Sequence, residues 1–296
     1  MRILVTGASG FLGRALALRL ARAHEVIGTC LSVSVRIPGC ALRPLDLRDP
    51  ASAAALVREL RPEAVVHLAA LSNAEACARA PEDAVRVNVD GTEAVARACA
   101  GVGARLLFMS TDLVYDGERP PYREGDEPKP LNLYARTKLE GEARVRGLCP
   151  DAWVLRLALG YGWKTAGSRG FTDYVYGSLT EGRKVRLFTD QIRTPTFLGD
   201  ATAMIQALVE RGGPGGTLHL AGPERASRLR FGEVLCEVFG FDPGLLEPVR
   251  MEDVPSPAPR PRDCSLDGSA LWKLTGHTPL GLRRGFEELK VERGTK

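Results

Sequence analysis

The chain begins with a short apolar run that breaks into regularly spaced glycines. Residues 1–6 read M-R-I-L-V-T, then come Gly7, Gly10 and Gly13, and an apolar stretch with helical spacing follows at 14–22. A strand, a glycine-rich turn and a helix in this order are typical of a dinucleotide-binding βαβ unit, in which a pyrophosphate rests on the helix N-terminus. The alternative is an ordinary strand-to-helix turn. This feature constrains the fold most, because it predicts a parallel sheet built from the first residues onward.

Strand-like and helical stretches alternate through the first half of the chain. Apolar strand-like runs lie at 25–30, 40–46, 64–70, 104–109 and 153–158, and helical stretches at 51–60, 73–100 and 133–146. This alternation predicts an α/β fold with a doubly wound parallel Rossmann sheet. For 296 residues we also expect a smaller mixed C-terminal substrate domain. The predicted dinucleotide domain comprises residues 1–160 with a returning segment near 185–215, and the predicted substrate domain comprises 161–184 and 216–296.

A hydroxyl, a phenol and an ammonium group follow the strand predicted at 104–109. Thr111 lies just beyond that strand, and Tyr134 and Lys138 are four residues apart on a predicted helix. Residues four apart share a helix face, so Lys138 can hold positive charge beside the phenol. The ordinary tyrosine pKa of about 10 is too high for easy proton exchange at neutral pH without such help. The three groups suit proton transfer at a carbonyl oxygen, although the Tyr/Lys pair alone also fits a solvated helix face.

The end of the second predicted strand bears on the choice of cofactor. Sites for NAD usually place an Asp or Glu about 20 residues after the glycine turn, where it binds the ribose 2′-hydroxyl. No acidic residue lies between Val26 and Leu45, and Arg36 lies in this interval. We therefore expect NADP(H) to be preferred, with NAD(H) also able to bind if the arginine faces solvent. Asp46 is expected either to meet the adenine or to cap the following turn.

Composition narrows the class of protein. The seven cysteines are scattered and never form C-x-x-C, so we expect free, mostly buried thiols in a reducing cytoplasm. The four histidines are scattered too, and we expect no metal site. The formal net charge is only +4 and the basic residues are spread out, which argues against nucleic-acid binding. No apolar run approaches the roughly 18 to 20 residues of a membrane helix, and no signal peptide is evident.

Several motifs in a fixed order carry a family resemblance. They are T-G-A-S-G-F-L-G at 6–13, H-L-A-A at 67–70, N-V-D-G-T at 88–92, S-T-D-L-V-Y-D-G at 110–117, Y-A-R-T-K-L-E-G-E at 134–142, R-T-P-T at 193–196 and R-P-R-D-C-S-L-D at 260–267. Together they resemble the extended short-chain dehydrogenase/reductases. Within these, the chain looks most similar to the branch of dTDP-4-dehydrorhamnose reductase and its relative, the regulatory beta subunit of methionine adenosyltransferase. The resemblance covers nearly the entire chain.

The resemblance implies a catalytic triad of Thr111, Tyr134 and Lys138. Tyr134 would donate a proton to the C4 carbonyl oxygen of a keto sugar while nicotinamide delivers hydride to C4. Thr111 would hydrogen-bond the same oxygen, and Lys138 would lower the tyrosine pKa and bind the nicotinamide ribose. The predicted substrate residues are Thr111, Asp112 and Arg260. The resemblance places Arg260 or Arg262 near a diphosphate, and a plain connector at this segment is the alternative.

The remaining predicted positions belong to the cofactor. The predicted cofactor-binding residues are Gly7, Ser9, Gly10, Phe11, Leu12, Gly13, Cys30, Ser32, Arg36, Asp46, Leu47, Ala69, Ala70, Leu71, Asn88, Tyr134, Lys138, Ala158 and Leu159. Many of them follow strand ends, which meet at one edge of a parallel sheet. Asn88 matches a family position that supports the site through the helix backbone or a bound water, and a locally bonded helix asparagine is the alternative.

Three functions remain open from the sequence. The first is NAD(P)H-dependent reduction of a 4-keto-6-deoxy sugar nucleotide, with dTDP-4-dehydrorhamnose as first choice. The second is a non-catalytic, NADP-binding regulatory subunit of methionine adenosyltransferase, and the third is a nucleotide-sugar epimerase or dehydratase. We expect a small sugar nucleotide as partner, neither nucleic acid nor membrane, and a cytoplasmic protein for which the family allows a homodimer.

Overall fold

The order of strands and helices follows the predicted alternation. The computed structural model describes residues 1–31, 35–163 and 170–294. Its strands are β1 (Arg2–Thr6), β2 (Glu25–Cys30), β3 (Cys40–Pro44), β4 (Ala64–His67), β5 (Arg105–Thr111), β6 (Trp153–Leu157), β7 (Gly160–Tyr161), β8 (Val185–Phe188), β9 (Ile192–Arg193), β10 (Thr196–Phe197), β11 (Gly216–Leu220), β12 (Ala226–Ser227) and β13 (Leu246–Val249). Its α-helices are α1 (Phe11–Leu20), α2 (Pro50–Leu60), α3 (Ala74–Arg79), α4 (Pro81–Val85), α5 (Gly91–Val102), α6 (Leu133–Leu148), α7 (Phe171–Thr180), α8 (Leu198–Arg211), α9 (Arg228–Phe239), α10 (Ser269–Thr275) and α11 (Leu282–Gly294).

Seven of the described strands form one parallel sheet. Their order is β11-β6-β5-β4-β1-β2-β3, so the chain leaves β1 toward β3 and then returns to the other side of β1 through β4. Ile3, Leu4 and Val5 of β1 are fully buried, as expected for a parallel strand covered on both faces. The doubly wound α/β fold is confirmed. The strand order reverses between the adjacent strands β1 and β4, which creates a crevice at the carboxyl ends of the strands.

Each face of the sheet has its own hydrophobic core. On one face, α1 packs against α8, and Leu16 and Met204 belong to the core between them and the sheet. On the other face, α2 packs against α5 and α5 against α6, with Val57 and Val95 in the core. The two layers of helices bury the strands and leave their carboxyl ends accessible.

β11 joins the main sheet from the second half of the chain. It pairs with β6 over its whole length, from Gly216 beside Trp153 to Leu220 beside Leu157. The predicted division assigns residues from 216 onward to the substrate domain, whereas β11 extends the sheet of the dinucleotide domain. The physical reason is that Leu218 and Leu220 are buried in the core of the main sheet. The division into two domains stays a prediction.

A further hydrophobic core lies among elements outside the main sheet. The fully buried rings of Tyr161, Phe231 and Phe286 have centroids 4.9 to 5.6 Å apart. The short strands around it pair in both directions, β8 with β13 parallel and β9 with β12 antiparallel. This core positions β9 and the start of α9 at the crevice.

Two further features concern the helices of the described residues and the cysteines. None of the helices in the described ranges combines the length and apolar character needed to cross a bilayer. All seven cysteines are free thiols, and five of them are buried. Burial, and then the neighbouring Cys149, raises the pKa of Cys99 to about 12, so that thiol stays protonated at neutral pH.

Candidate active site

A cavity of about 770 Å³ lies at the carboxyl ends of the sheet strands. Residues that follow β1 to β6 line it on one side, and residues of β9, the start of α9 and the segment after β13 line the other. A doubly wound sheet binds its ligands in this place. The volume is in the range of roughly 300 to 1,000 Å³ that ligand pockets occupy.

The glycine turn after β1 forms one end of the cavity. Gly7 has a φ of +68°, and a Cβ at Gly13 would overlap the carbonyl oxygen of Gly7, so both positions need glycine. Gly10 is the N-cap of α1, and no side chain among the described residues caps this helix. The first N–H groups of α1 and its positive dipole end therefore point to an anion site. These features fit the pyrophosphate of a dinucleotide.

A buried chain of hydrogen bonds holds the loop after β4 beside this turn. The Thr6 oxygen accepts from the N–H groups of Leu68 at 3.1 Å and Ala69 at 3.2 Å. The Thr6 hydroxyl lies 2.7 Å from Nδ1 of His67, whose Nε2 lies 3.1 Å from the Thr92 hydroxyl. Burial lowers the pKa of His67 to about 3, so the ring is neutral and bridges the two hydroxyls. The cavity wall at Ala69 is thereby fixed.

Tyr134 lies in the first turn of α6, which is capped by Asn132. The Asn132 side chain accepts from the Ala135 N–H at 3.0 Å and donates to the Pro259 carbonyl at 3.0 Å. Tyr134 is 9% exposed. Burial raises the pKa of its phenol, and a hydrogen bond with Thr111 acts in the lowering direction. The phenol therefore keeps its proton at neutral pH.

Lys138 follows Tyr134 one helical turn later. Its side chain is buried, and Nζ lies 4.0 Å from the centroid of the Phe108 ring. Burial lowers the pKa of Lys138 to about 7, with Glu142 acting in the opposite direction. The phosphates of a bound dinucleotide would favour the charged lysine. The expected lowering of the Tyr134 pKa by Lys138 stays a prediction, because burial of the phenol has the largest effect in the protein alone.

Thr111 ends β5 and is bonded to its neighbour in sequence. Its hydroxyl donates to Oδ1 of Asp112 at 3.1 Å, and its oxygen accepts from the Leu113 N–H at 3.2 Å. Asp112 is 5% exposed, and its Oδ2 lies 3.1 Å from Nε of Arg193. Burial raises the pKa of Asp112, while Arg193 and Thr111 act to lower it. A buried ion pair thus lies directly beside the triad hydroxyl.

A second buried ion pair supports α6 one helical turn after Lys138. Glu142 is fully buried and accepts from Arg156 at 3.0 and 2.8 Å and from the Ser110 hydroxyl at 2.5 Å. Burial alone would raise the pKa of Glu142, but Arg156 and Ser110 outweigh it and the pKa is lowered. Arg156 also donates to the Tyr115 hydroxyl at 2.6 Å. This network ties α6 to β5 and β6.

The wall opposite the triad carries an arginine with an unused donor. Arg228 lies 4.4 Å from the centroid of the Phe171 ring and donates from Nε to Gln191 at 2.8 Å. Its Nη1 is buried and has no partner among the described residues. Burial, and then the charge of Arg193, lowers the pKa of Arg228 to about 9. A buried guanidinium nitrogen without a hydrogen-bond partner among the described residues makes Arg228 a candidate anion site.

The far end of the cavity is built from the ends of β2 and β3. Asp46 accepts from the backbone N–H of Arg48 at 2.9 Å and pairs with its guanidinium at 2.6 Å. Asp46 therefore caps this turn and also lines the cavity. Cys30 is buried and Arg36 is exposed, and the cavity is not lined by either of them. Ser32 lies outside the described residues.

The cavity brings most of the predicted site residues together. Those that line it are Gly7, Ser9, Gly10, Phe11, Leu12, Gly13, Asp46, Leu47, Ala69, Ala70, Leu71, Thr111, Asp112, Tyr134, Lys138, Ala158, Leu159 and Arg260. Asn88 lies behind the wall, where it accepts from the Leu71 N–H at 2.8 Å and donates to the Thr137 hydroxyl at 3.0 Å. It connects the loop after β4 to α6. The role of each residue stays a prediction.

The lining residues that were not among the predicted site residues include four with long polar side chains: Arg48, Gln191, Arg193 and Arg228. The R-T-P-T motif was a signal for Arg193 and its neighbour Gln191. Arg228 carries no comparable signal, since its burial follows only from the packing of α9. Arg260 was predicted, and it pairs with Glu75 at 2.6 Å.

Comparisons with known proteins find similar sequences and structures over nearly the whole chain. Residues 1–291 match the family described as RmlD substrate binding domain. The dTDP-4-dehydrorhamnose reductase of Mycobacterium tuberculosis is 35% identical over 94% of this chain and 88% of that protein. Methionine adenosyltransferase 2 subunit beta of Xenopus tropicalis is 34% identical over 92% of this chain and 82% of that protein. The crystal structure of dTDP-4-dehydrorhamnose reductase from Bacillus anthracis in complex with NADP is similar, with a TM-score of 0.84 and 26% identity over 98% of this chain and 99% of that chain.

Proposed function

The chain belongs to the RmlD substrate binding domain family, and we propose that it reduces the 4-keto group of a 4-keto-6-deoxy sugar nucleotide with NADPH. The family confirms the resemblance drawn from the motifs, and the chain is an NAD(P)-dependent oxidoreductase. The observation that carries the proposal is the arrangement of Thr111, Tyr134 and Lys138 along the same cavity as the glycine turn. A proton donor and a dinucleotide site thus share one crevice.

NADP(H) is the preferred cofactor, and NAD(H) can also bind. The similar reductase from Bacillus anthracis holds NADP. In this chain Thr29 and Leu31, which line the cavity at the end of β2, are uncharged and would not repel a 2′-phosphate. The N-terminus of α1 would hold the pyrophosphate, and Lys138 the nicotinamide ribose. When bound, the reduced nicotinamide supplies the hydride.

Tyr134 supplies the proton of the reduction. Hydride adds to C4 of the sugar as the carbonyl π bond breaks, and the oxygen takes the proton of the Tyr134 hydroxyl. The products are the 4-hydroxy sugar and the oxidised cofactor, and the tyrosinate regains its proton from solvent. Protonated Lys138, one turn away, stabilises the tyrosinate as it forms.

The substrate we propose is dTDP-4-dehydrorhamnose, as for the named relatives. Nη1 of Arg228 is buried without a hydrogen-bond partner among the described residues. A diphosphate oxygen of the substrate would accept from it. Arg260 lines the same side of the cavity but already pairs with Glu75 at 2.6 Å. We therefore assign the main diphosphate contact to Arg228 and a secondary one to Arg260.

Replacing Arg228 with glutamine should raise KM for the sugar nucleotide roughly 10- to 100-fold, because one charge-assisted hydrogen bond to the diphosphate is lost. KM for NADPH should stay within about twofold, since the cofactor occupies the other end of the cavity. Steady-state kinetics with each substrate varied in turn would measure both values. Arg230→Gln is the matched control, because Arg230 is on the same helix but half exposed and paired with Glu233. Equal effects of the two substitutions on KM would contradict the assignment.

The direct test is to incubate the purified protein with NADPH and dTDP-4-dehydrorhamnose and to follow NADPH fluorescence and the sugar product. We expect stoichiometric oxidation of NADPH and formation of the 4-hydroxy sugar.

The second candidate function, a regulatory subunit, is supported by the relative from Xenopus tropicalis. Tight binding to a methionine adenosyltransferase without NADPH oxidation would establish that function instead. A tightly held NAD that is not consumed would indicate an epimerase.

A further inference from the structure

Four alternating prolines, at 255, 257, 259 and 261, mark the segment that carries Arg260. Residues 255–263, which we call the strap, belong to no helix or strand. Proline fixes its own φ and favours extended backbone in the residue before it, and it has no N–H to donate to a neighbouring strand. The strap is therefore stiff, and mainly its carbonyl groups are available to anchor it.

We propose that Asn132 and Arg193 are positioning residues that fix the strap, so that Arg260 meets the diphosphate of a bound sugar nucleotide. Their donors bind carbonyl groups on either side of Arg260. This inference rests on the proposed reduction, in which Arg260 is a secondary contact to the diphosphate. It gives Asn132 a second function besides capping α6.

The side-chain amide of Asn132 uses its two halves for different purposes. Its oxygen accepts from the Ala135 N–H at 3.0 Å and caps α6, and its nitrogen donates to the Pro259 carbonyl at 3.0 Å. Asn132 is 3% exposed, so water competes little for either bond. It also lies two residues before Tyr134. One side chain thus joins the first turn of α6, which bears the proton donor, to the strap.

Arg193 connects the strap to the end of β5. Its guanidinium donates from Nη2 to the Pro261 carbonyl and from Nη1 to the Arg262 carbonyl, both at 3.2 Å. Nε of the same group lies 3.1 Å from Oδ2 of Asp112, whose Oδ1 accepts from the Thr111 hydroxyl at 3.1 Å. Arg193 is buried. The second anchor therefore lies one side chain away from Thr111.

Arg260 lies between these anchored carbonyls and lines the cavity. Its guanidinium pairs with Glu75 of α3 at 2.6 Å, and both side chains are about one-third exposed. Such partly exposed pairs contribute little to stability, whereas arginine binds phosphate oxygens through two parallel hydrogen bonds. A diphosphate can therefore replace Glu75 as the partner of Arg260 while the anchors hold the backbone in place.

Asn132→Ser separates the two functions of Asn132. Serine caps a helix about as well as asparagine, but its side chain is too short to keep the contact with Pro259. KM for the sugar nucleotide should rise about 3- to 10-fold, the range expected for one lost hydrogen bond, and KM for NADPH should stay within about twofold. Asn73→Ser is the matched control, because it makes the same exchange at the exposed N-cap of α3. Equal effects of the two substitutions would contradict the proposal.

A mutant cycle tests whether the anchors act through Arg260. Arg260→Gln should raise KM for the sugar nucleotide in the wild type, and by less than half as much on a logarithmic scale in the Asn132→Ser background. Arg193→Lys should behave like Asn132→Ser, because lysine keeps a positive charge beside Asp112 but lacks the planar fork that reaches two carbonyls. Fully additive effects would overturn the proposal.

NMR relaxation of the Arg260 and Arg262 amides in the full chain tests the anchoring without turnover. Their order parameters should fall from about 0.85 toward 0.6 in Asn132→Ser. The same fall is expected in Asn132→Asp, which keeps the size and the cap of asparagine but not the donor. Unchanged order parameters in these folded variants would overturn the proposal. A fall in the variants without NADPH oxidation by the wild type would support the anchoring and contradict only the proposed reduction.

Discussion

Replacing Tyr134 with phenylalanine is expected to lower kcat for reduction of the keto sugar nucleotide by about 100- to 10,000-fold, the usual contribution of a general acid. In the proposed reduction the hydroxyl is the proton donor, while the ring packs in a small cluster with Cys77 and Ala84 that phenylalanine can still fill. The free energy of unfolding and the affinity for NADPH should therefore change little. Single-turnover measurements at saturating NADPH would isolate the chemical step.

The control for this substitution is Tyr174→Phe, because Tyr174 lies on α7 and is 43% exposed. It should leave kcat and KM at wild-type values. Residual activity of Tyr134→Phe within tenfold of wild type would mean that another group delivers the proton. Loss of NADPH binding in that variant would instead assign Tyr134 to the cofactor site rather than to the chemistry.

Replacing Arg156 with methionine is expected to lower the free energy of unfolding by about 3 to 5 kcal/mol, since it leaves a buried carboxylate without its main partner. Glu142 would keep Ser110 and the partly exposed Arg146 as hydrogen-bond donors. The double variant Glu142→Gln/Arg156→Met should regain much of the loss, because no unpaired buried charge remains. Denaturant unfolding of the three proteins measures these differences.

The pH dependence of unfolding provides a second readout for the same pair. The pKa of folded Glu142 lies below its ordinary value, so its stabilising effect is present above the unfolded pKa of about 4.3 and is lost as pH falls through the folded pKa. Wild type and Arg156→Met should therefore converge in stability on acidification. Arg144→Met, which breaks an exposed pair with Glu140 on the same helix, should change little. If Arg156→Met lowered the free energy of unfolding no more than Arg144→Met, the structural role of the Glu142–Arg156 ion pair would be contradicted.

Local sequence patterns predicted the parts of the site that depend on neighbouring residues. The glycine turn and the Tyr134/Lys138 spacing are local, because a strand, a turn or a helix face is defined within a few residues. Ends of parallel strands also meet at one edge, so positions such as Ala69 and Leu159 could be placed in the cavity from the strand pattern alone. Cys30 and Arg36 were less predictable, because the direction of a side chain at a strand end depends on tertiary packing.

The sequence by itself therefore determined a doubly wound α/β fold with a crevice at its strand ends, and it predicted that Thr111, Tyr134 and Lys138 line that crevice. Only the tertiary structure decided which charges are buried together. Asp112 meets Arg193 across 80 intervening positions, and the packing of α9 buries Nη1 of Arg228 without a hydrogen-bond partner among the described residues. Such pairings depend on which side chains the fold buries together. A buried charge loses its solvation, so its free energy depends strongly on whether a partner is present. No spacing along the chain encodes these contacts.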